Sequence, residues 1–130
     1  MARVLVVDDN DQMRRLVLLT LQAAGHEVFE AAEAISAWQA MVVRRPDVVI
    51  LDVTMPEVSG LDLCRAMRAD PQFAATPVVV LTGRGLPDDA TAASDAGADR
   101  FFAKPFSPRA LLAAVDDLAA GGQTRSRTIA

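Results

Sequence analysis

Val4-Leu5-Val6-Val7 is a continuous apolar run, rich in β-branched residues, and Asp8-Asp9-Asn10 follows it without a break. Val48-Val49-Ile50-Leu51 and Val78-Val79-Val80-Leu81 repeat the pattern and run into Asp52 and Thr82. A strand with one wet face alternates apolar and polar residues. Unbroken runs of this length suit strands buried on both faces, which belong in a parallel sheet covered by helices. His26 to Glu30 and Arg100 to Ala103 are two further strand candidates with a weaker pattern.

The segments between these runs have helical spacing. Asp11 to Ala24 places Met13, Leu16, Val17, Thr20, Leu21 and Ala24 on one face, with Asp11 as the expected N-cap and Gly25 as the stop. Ala32 to Arg44 carries Ile35, Trp38, Met41 and Val42 at similar intervals before Pro46 ends it, and Arg44-Arg45 would offset its C-terminal dipole. Ser59 to Ala69 turns Leu61, Cys64 and Met67 inward, and Pro87 to Ala96 is an alanine-rich helix with little pattern. The last helix is punctuated by Ser107 as N-cap, Pro108 at the first turn and Gly121 past the end. Strand and helix alternate five times, which predicts an α/β, doubly wound (βα)5 sheet of five parallel strands. In the flavodoxin-like order 2-1-3-4-5, strand direction of growth reverses between the first and third strands. Residues 1–120 are expected to form the domain, with 121–130 a flexible tail or the start of a linker.

Composition narrows the chemistry. The 130 residues carry 13 Lys+Arg against 17 Asp+Glu, a net charge of −4 that gives no footing for nucleic-acid binding. One cysteine excludes an intrachain disulfide framework, and one histidine excludes a His-rich metal site. His26 reads as partly exposed and passive, Cys64 and Trp38 as packing residues. No apolar stretch reaches the roughly 20 residues of a membrane span, and the N-terminus lacks a signal-peptide layout. A cytoplasmic location is therefore expected.

In an open parallel sheet, ligands bind beyond the carboxyl ends of the strands. The residues there are Asp8 and Asp9, Asp52, Thr82 and Lys104. Three carboxylates converging on one rim repel one another and call for a cation, and hard oxygen ligands suit Mg²⁺. Lys104 and Thr82 add a point charge and a hydroxyl donor suited to phosphate. A carboxylate nucleophile, Mg²⁺ and a lysine together describe phosphoryl transfer to an aspartate. Of the 13 basic residues only Lys104 is a lysine, placed where a slim ammonium must reach a phosphoryl group.

The set Val4-Leu5-Val6-Val7-Asp8-Asp9-Asn10, Leu51-Asp52-Val53-Thr54-Met55-Pro56 with Gly60, Leu81-Thr82-Gly83 and Lys104-Pro105-Phe106 resembles the chemotaxis-Y-like receiver domain of two-component response regulators. The resemblance covers Arg3 to about Ala120. It implies that Asp52 takes a phosphoryl group from a sensor histidine kinase or phosphotransfer protein. It further implies that Asp8, Asp9, Asp52 and the Thr54 carbonyl hold Mg²⁺, Asp9 directly and Asp8 largely through water. Thr82 and Lys104 would bind the phosphoryl oxygens, Pro105 would be a cis-proline, and Gly83 would leave room for the donor. Arg84 and Thr54 fall at positions that tune dephosphorylation. Phe101 takes the place of the usual switch tyrosine, keeping a ring that fills a pocket and losing the surface hydroxyl.

The resemblance thus implies a phosphorylation-dependent signalling switch and not an enzyme beyond phosphoryl acceptance and slow autodephosphorylation. Its fourth helix, fifth strand and fifth helix would address a downstream protein or output domain, with a phosphorylation-dependent homodimer among the assemblies allowed. A phosphorylation-independent interaction module on the same fold is the alternative. A flavin or nucleotide binder is disfavoured because Asp8-Asp9-Asn10 is not a glycine-rich phosphate loop.

Overall fold

The computed structural model describes residues 2–53, 55, 58–83 and 87–121. Ten elements alternate: β1 (Arg3–Val7), α1 (Asp11–Ala23), β2 (Glu27–Ala31), α2 (Ala34–Arg44), β3 (Val48–Asp52), α3 (Gly60–Ala69), β4 (Val78–Thr82), α4 (Pro87–Asp95), β5 (Arg100–Ala103) and α5 (Pro108–Ala119). All strand pairs are parallel, in the order β2-β1-β3-β4-β5. The flavodoxin-like arrangement expected from the sequence is the one observed.

Period-two alternation along the buried strands divides the core into two layers. Leu5, Val7, Val49, Leu51 and Val80 pack with Met41 of α2, Leu63, Cys64 and Met67 of α3, and Ala93 of α4. Val4, Val6, Ile50, Val79 and Leu81 pack on the opposite face with Val17 and Leu21 of α1 and Leu111, Val115 and Leu118 of α5. Trp38 meets Phe73 edge to face, with ring centroids 5.1 Å apart. Among the described residues, no helix is long and apolar enough to cross a membrane.

Several local expectations change. Asn10, not Asp11, caps α1: its side chain accepts the Met13 N–H, and Asp11 sits in the first turn. On α2 the inward residues are Ala34, Ala37 and Met41, whereas Ile35 is 64% exposed and Val42 41%. On α1 it is Leu18 that is buried, while Leu16 is half exposed. Arg44 and Arg45 lie over the rings of Phe29 and Phe73, at 4.8 and 5.6 Å, so they cover aromatic surface as well as facing the helix C-terminus. His26 is buried, not exposed: Nδ1 accepts the Ala2 N–H at 3.0 Å, and Nε2 lies 3.0 Å from Asp116 Oδ1. It joins the residue before the first strand to the last helix.

Gly60 marks a close backbone approach between α3 and β3. Its N–H donates to the Val53 carbonyl, and a Cβ there would lie 2.0 Å from the Asp52 carbonyl oxygen. The first turn of α3 therefore rests directly on the end of β3. Gly60→Ala is expected to destabilise the protein by about 1–3 kcal/mol through overpacking, read as a lower urea midpoint. A midpoint equal to the parent would show that β3 yields freely at this contact.

Candidate functional site: an acidic pocket at the strand ends

Register alone assembles the pocket. Val7 pairs with Leu51, so the next residues, Asp8 and Asp52, emerge side by side from β1 and β3. Asp52 pairs with Leu81, and Thr82 with Ala103, which sets Thr82 and Lys104 along the same rim. One carboxylate oxygen from each of Asp8, Asp9 and Asp52 lies within 4.8 Å of the others. Asp8 and Asp52 are 2% and 5% exposed, while Asp9 is open to solvent.

Lys104 closes the cluster from the β5 side. Its Nζ donates to Asp52 Oδ1 at 2.8 Å and reaches Asp8 Oδ2 at 3.4 Å. The Lys104 N–H donates to the Thr82 carbonyl at 2.7 Å, and the Lys104–Pro105 peptide is cis. Thr82 is buried at the end of β4, and a Cβ added to the neighbouring Gly83 would meet nothing within 4 Å. Thr54 and Arg84 lie outside the described residues, as do 122–130, where most of the expected tail falls. Gly121 keeps its expected place just past the α5 cap Ala120 and has a positive φ of 89°. Phe101 is half-buried against α4 and lines a cavity of about 120 Å³ with Ala90, Ala93 and Ser94.

Charge in this pocket is finely opposed. Burial pushes the Asp52 carboxyl above its ordinary range; the Lys104 hydrogen bond pulls it down, while Asp8 and Asp9 push it up further. Burial also works against the Lys104 ammonium, but the Asp52 hydrogen bond and the charge of Asp8 outweigh it and hold the lysine above its ordinary value. For a carboxyl raised on folding, the native state binds the extra proton, so metal-free stability falls as pH rises from about 3.9 through the folded value. The lysine, also raised on folding, gives the same sign of slope at higher pH: its stabilisation is complete below about 10.4 and is lost as pH rises through its raised folded value. Asp52→Asn is therefore expected to raise the urea midpoint at pH 7 in a chelator and to flatten its decline above pH 4. A variant less stable than the parent at pH 7 would contradict this balance.

The donor set is all oxygen, anionic and convergent, which fits a hard divalent cation and leaves no soft ligand for a transition metal. Arg14 escaped the sequence reading. Its guanidinium donates to the Asp8 backbone carbonyl at 2.7 Å from the first helix. A cation four residues after the helix cap, beside Asp11, was the available signal.

A doubly wound parallel sheet with a lysine-paired acidic pocket at its switch point defines an α/β domain whose pocket lies where such sheets bind ligands. The chain belongs to the family whose model is described as the response regulator receiver domain, which matches residues 4–116. It is 36% identical over 110 residues to the phosphate regulon transcriptional regulatory protein PhoB of Pseudomonas aeruginosa, covering 85% of this chain and 48% of PhoB. It is 38% identical over 111 residues to chemotaxis protein CheY1 of Helicobacter pylori, covering 84% of this chain and 90% of CheY1. The chain thus spans about half of some curated relatives and most of others. A putative response regulator from Chloroflexus aurantiacus superposes with a TM-score of 0.88 at 35% identity, covering 92% of this chain and 98% of that one. Receiver domains are signalling domains rather than classical enzymes, bind Mg²⁺ at an acidic pocket, and interact with histidine kinases and output domains. In this chain Asp8, Asp9 and Asp52 form an acidic cluster at the strand ends.

Proposed function

We propose that this chain is a cytoplasmic phosphorylation switch in which Asp52 accepts a phosphoryl group from a sensor histidine kinase or phosphotransfer protein. The observation that carries the reading is the Lys104–Asp52 contact of 2.8 Å within a three-carboxylate cluster. A buried carboxylate with a partner cation beside it, in a cluster suited to a divalent metal, is poised as a nucleophile.

In the reaction, an Asp52 carboxylate oxygen attacks phosphorus. The bond from phosphorus to the donor nitrogen breaks, its electron pair stays with the leaving imidazole, and an acyl phosphate remains on Asp52. Asp8, Asp9 and Asp52, with the Thr54 carbonyl, would hold Mg²⁺, which supplies charge neutralisation for the phosphoryl oxygens when bound. Lys104 leaves Asp8 and pairs with a phosphoryl oxygen, and the Thr82 hydroxyl donates to another. Gly83, with no side chain beside Thr82, leaves room for the donor. Inward movement of Thr82 gives Phe101 room to turn, and the surface of α4, β5 and α5 changes for a downstream protein or output domain. The receiver unit so read spans residues 1–120.

Incubation with Mg²⁺ and acetyl phosphate tests this directly. One acid-stable, hydroxylamine-labile phosphoryl group per chain is expected, and none when the metal is chelated. A chain that stays unmodified under both conditions would instead be a constitutive interaction module.

A further inference from the structure

Arg14 gathers three elements with one side chain. Nη1 donates to the Asp8 carbonyl at 2.7 Å, Nη2 to Asp11 Oδ1 at 2.7 Å, and Nε to Glu30 Oε1 at 3.0 Å. The side chain is only 16% exposed. Burial opposes the guanidinium charge, yet hydrogen bonds to Asp11 and Glu30 outweigh it and hold the group above its ordinary value.

The carbonyl that Arg14 takes belongs to the peptide joining Asp8 to Asp9, the two pocket carboxylates contributed by one loop. Asp8 is tied elsewhere too: its N–H donates to the Ala31 carbonyl at 3.1 Å, and its Oδ1 accepts the Asn10 N–H at 2.9 Å. With N–H and side chain held, the carbonyl decides how the following peptide plane is turned. Asp9 is exposed, and no hydrogen bond or ion pair between its side chain and another described residue is evident. Its place in the cluster therefore depends on that plane.

Resting on the reading of the pocket as a Mg²⁺ and phosphoryl site, we infer that Arg14 is a positioning residue: anchored by Asp11 and Glu30, it fixes the Asp8–Asp9 peptide so that both carboxylates converge with Asp52. A lysine could not do this, because a single ammonium lacks the planar fork that spans three acceptors in different directions.

Charge alone predicts the opposite outcome, which makes the inference testable by sign. A guanidinium near the pocket repels a dication, so removing it by electrostatics alone would tighten Mg²⁺ binding. Removing a positioning contact weakens it. Titration calorimetry with MgCl₂ on the full chain, the parent against Arg14→Gln and Arg14→Lys, separates the two. Both variants are expected to bind Mg²⁺ about 10-fold more weakly, in the range seen when groups supporting metal ligands are lost. Thermal melts in a chelator report whether each variant is folded. Arg14→Lys keeps the charge and the aliphatic stem, so it stays readable should Arg14→Gln not fold. Parent-like or tighter binding by Arg14→Gln, or parent-like binding by Arg14→Lys, overturns the inference while the pocket reading stands. A parent protein that binds no Mg²⁺ overturns both.

Discussion

Asp52→Asn should take up no phosphoryl group from acetyl phosphate or a histidine kinase, with incorporation falling to background in a folded protein. The amide is nearly isosteric with the carboxylate and can still accept from Lys104, so the scaffold and its hydrogen-bond geometry are preserved. What disappears is the anionic oxygen that attacks phosphorus. The other carboxylates cannot stand in. Asp8 is engaged by the Asn10 N–H and Lys104, and Asp9 lies on the exposed rim. Radiolabel from the phosphodonor, measured on parent and variant side by side, decides the point. Equal labelling of the two would move the acceptor to another residue.

Lys104→Met should slow phosphoryl uptake by about 10²–10³-fold, the scale on which a preorganised donor to developing oxyanion charge contributes. The same change leaves Asp8 and Asp52 facing one another at 2% and 5% exposure without their cation. Loss of one member of a buried ion pair destabilises by about 3–5 kcal/mol, here reduced because the cluster opens to solvent at Asp9. The destabilisation should shrink as pH falls and carboxylates protonate. Stopped-flow uptake gives the first quantity, and urea unfolding at pH 4.5 and 7 gives the second. Uptake at the parent rate would assign the lysine a structural role only.

The fold was legible where burial is uniform and obscure where small residues carry the packing. Val4–Val7, Val48–Leu51 and Val78–Leu81 announced β1, β3 and β4 because a strand covered on both faces needs apolar residues at every position. On α2 the same logic misled: Ile35 and Val42 are larger than Ala34 and Ala37, yet the alanines face the sheet because the helix packs close. His26 was misread because its partners, Ala2 and Asp116, are distant in sequence and meet it only through the pairing of β1 with β2 and the docking of α5. The pocket was more transparent. Strand order and register convert the residues after β1, β3, β4 and β5 into neighbours, so Asp8, Asp52, Thr82 and Lys104 could be placed together from their positions alone. Arg14 could not, since its reach to the Asp8 carbonyl and to Glu30 depends on how α1 sits against β2.

The lone lysine gains its meaning from this geometry. Twelve other basic positions use arginine, whereas the pocket uses a compact ammonium that reaches both Asp8 and Asp52. Asp8, Asp9, Asp52 and Lys104 together carry half of the chain's net charge of −4, so much of its acidity is local to the pocket.

On the proposed reading, Asp52 becomes an acyl phosphate. Borohydride reduction of the phosphorylated protein, followed by peptide sequencing, converts an aspartyl phosphate to homoserine and reads its position. Homoserine at residue 52, and at no other aspartate, is the expected result. Homoserine at Asp8 or Asp9, or none in a sample shown to carry the phosphoryl group, would contradict it.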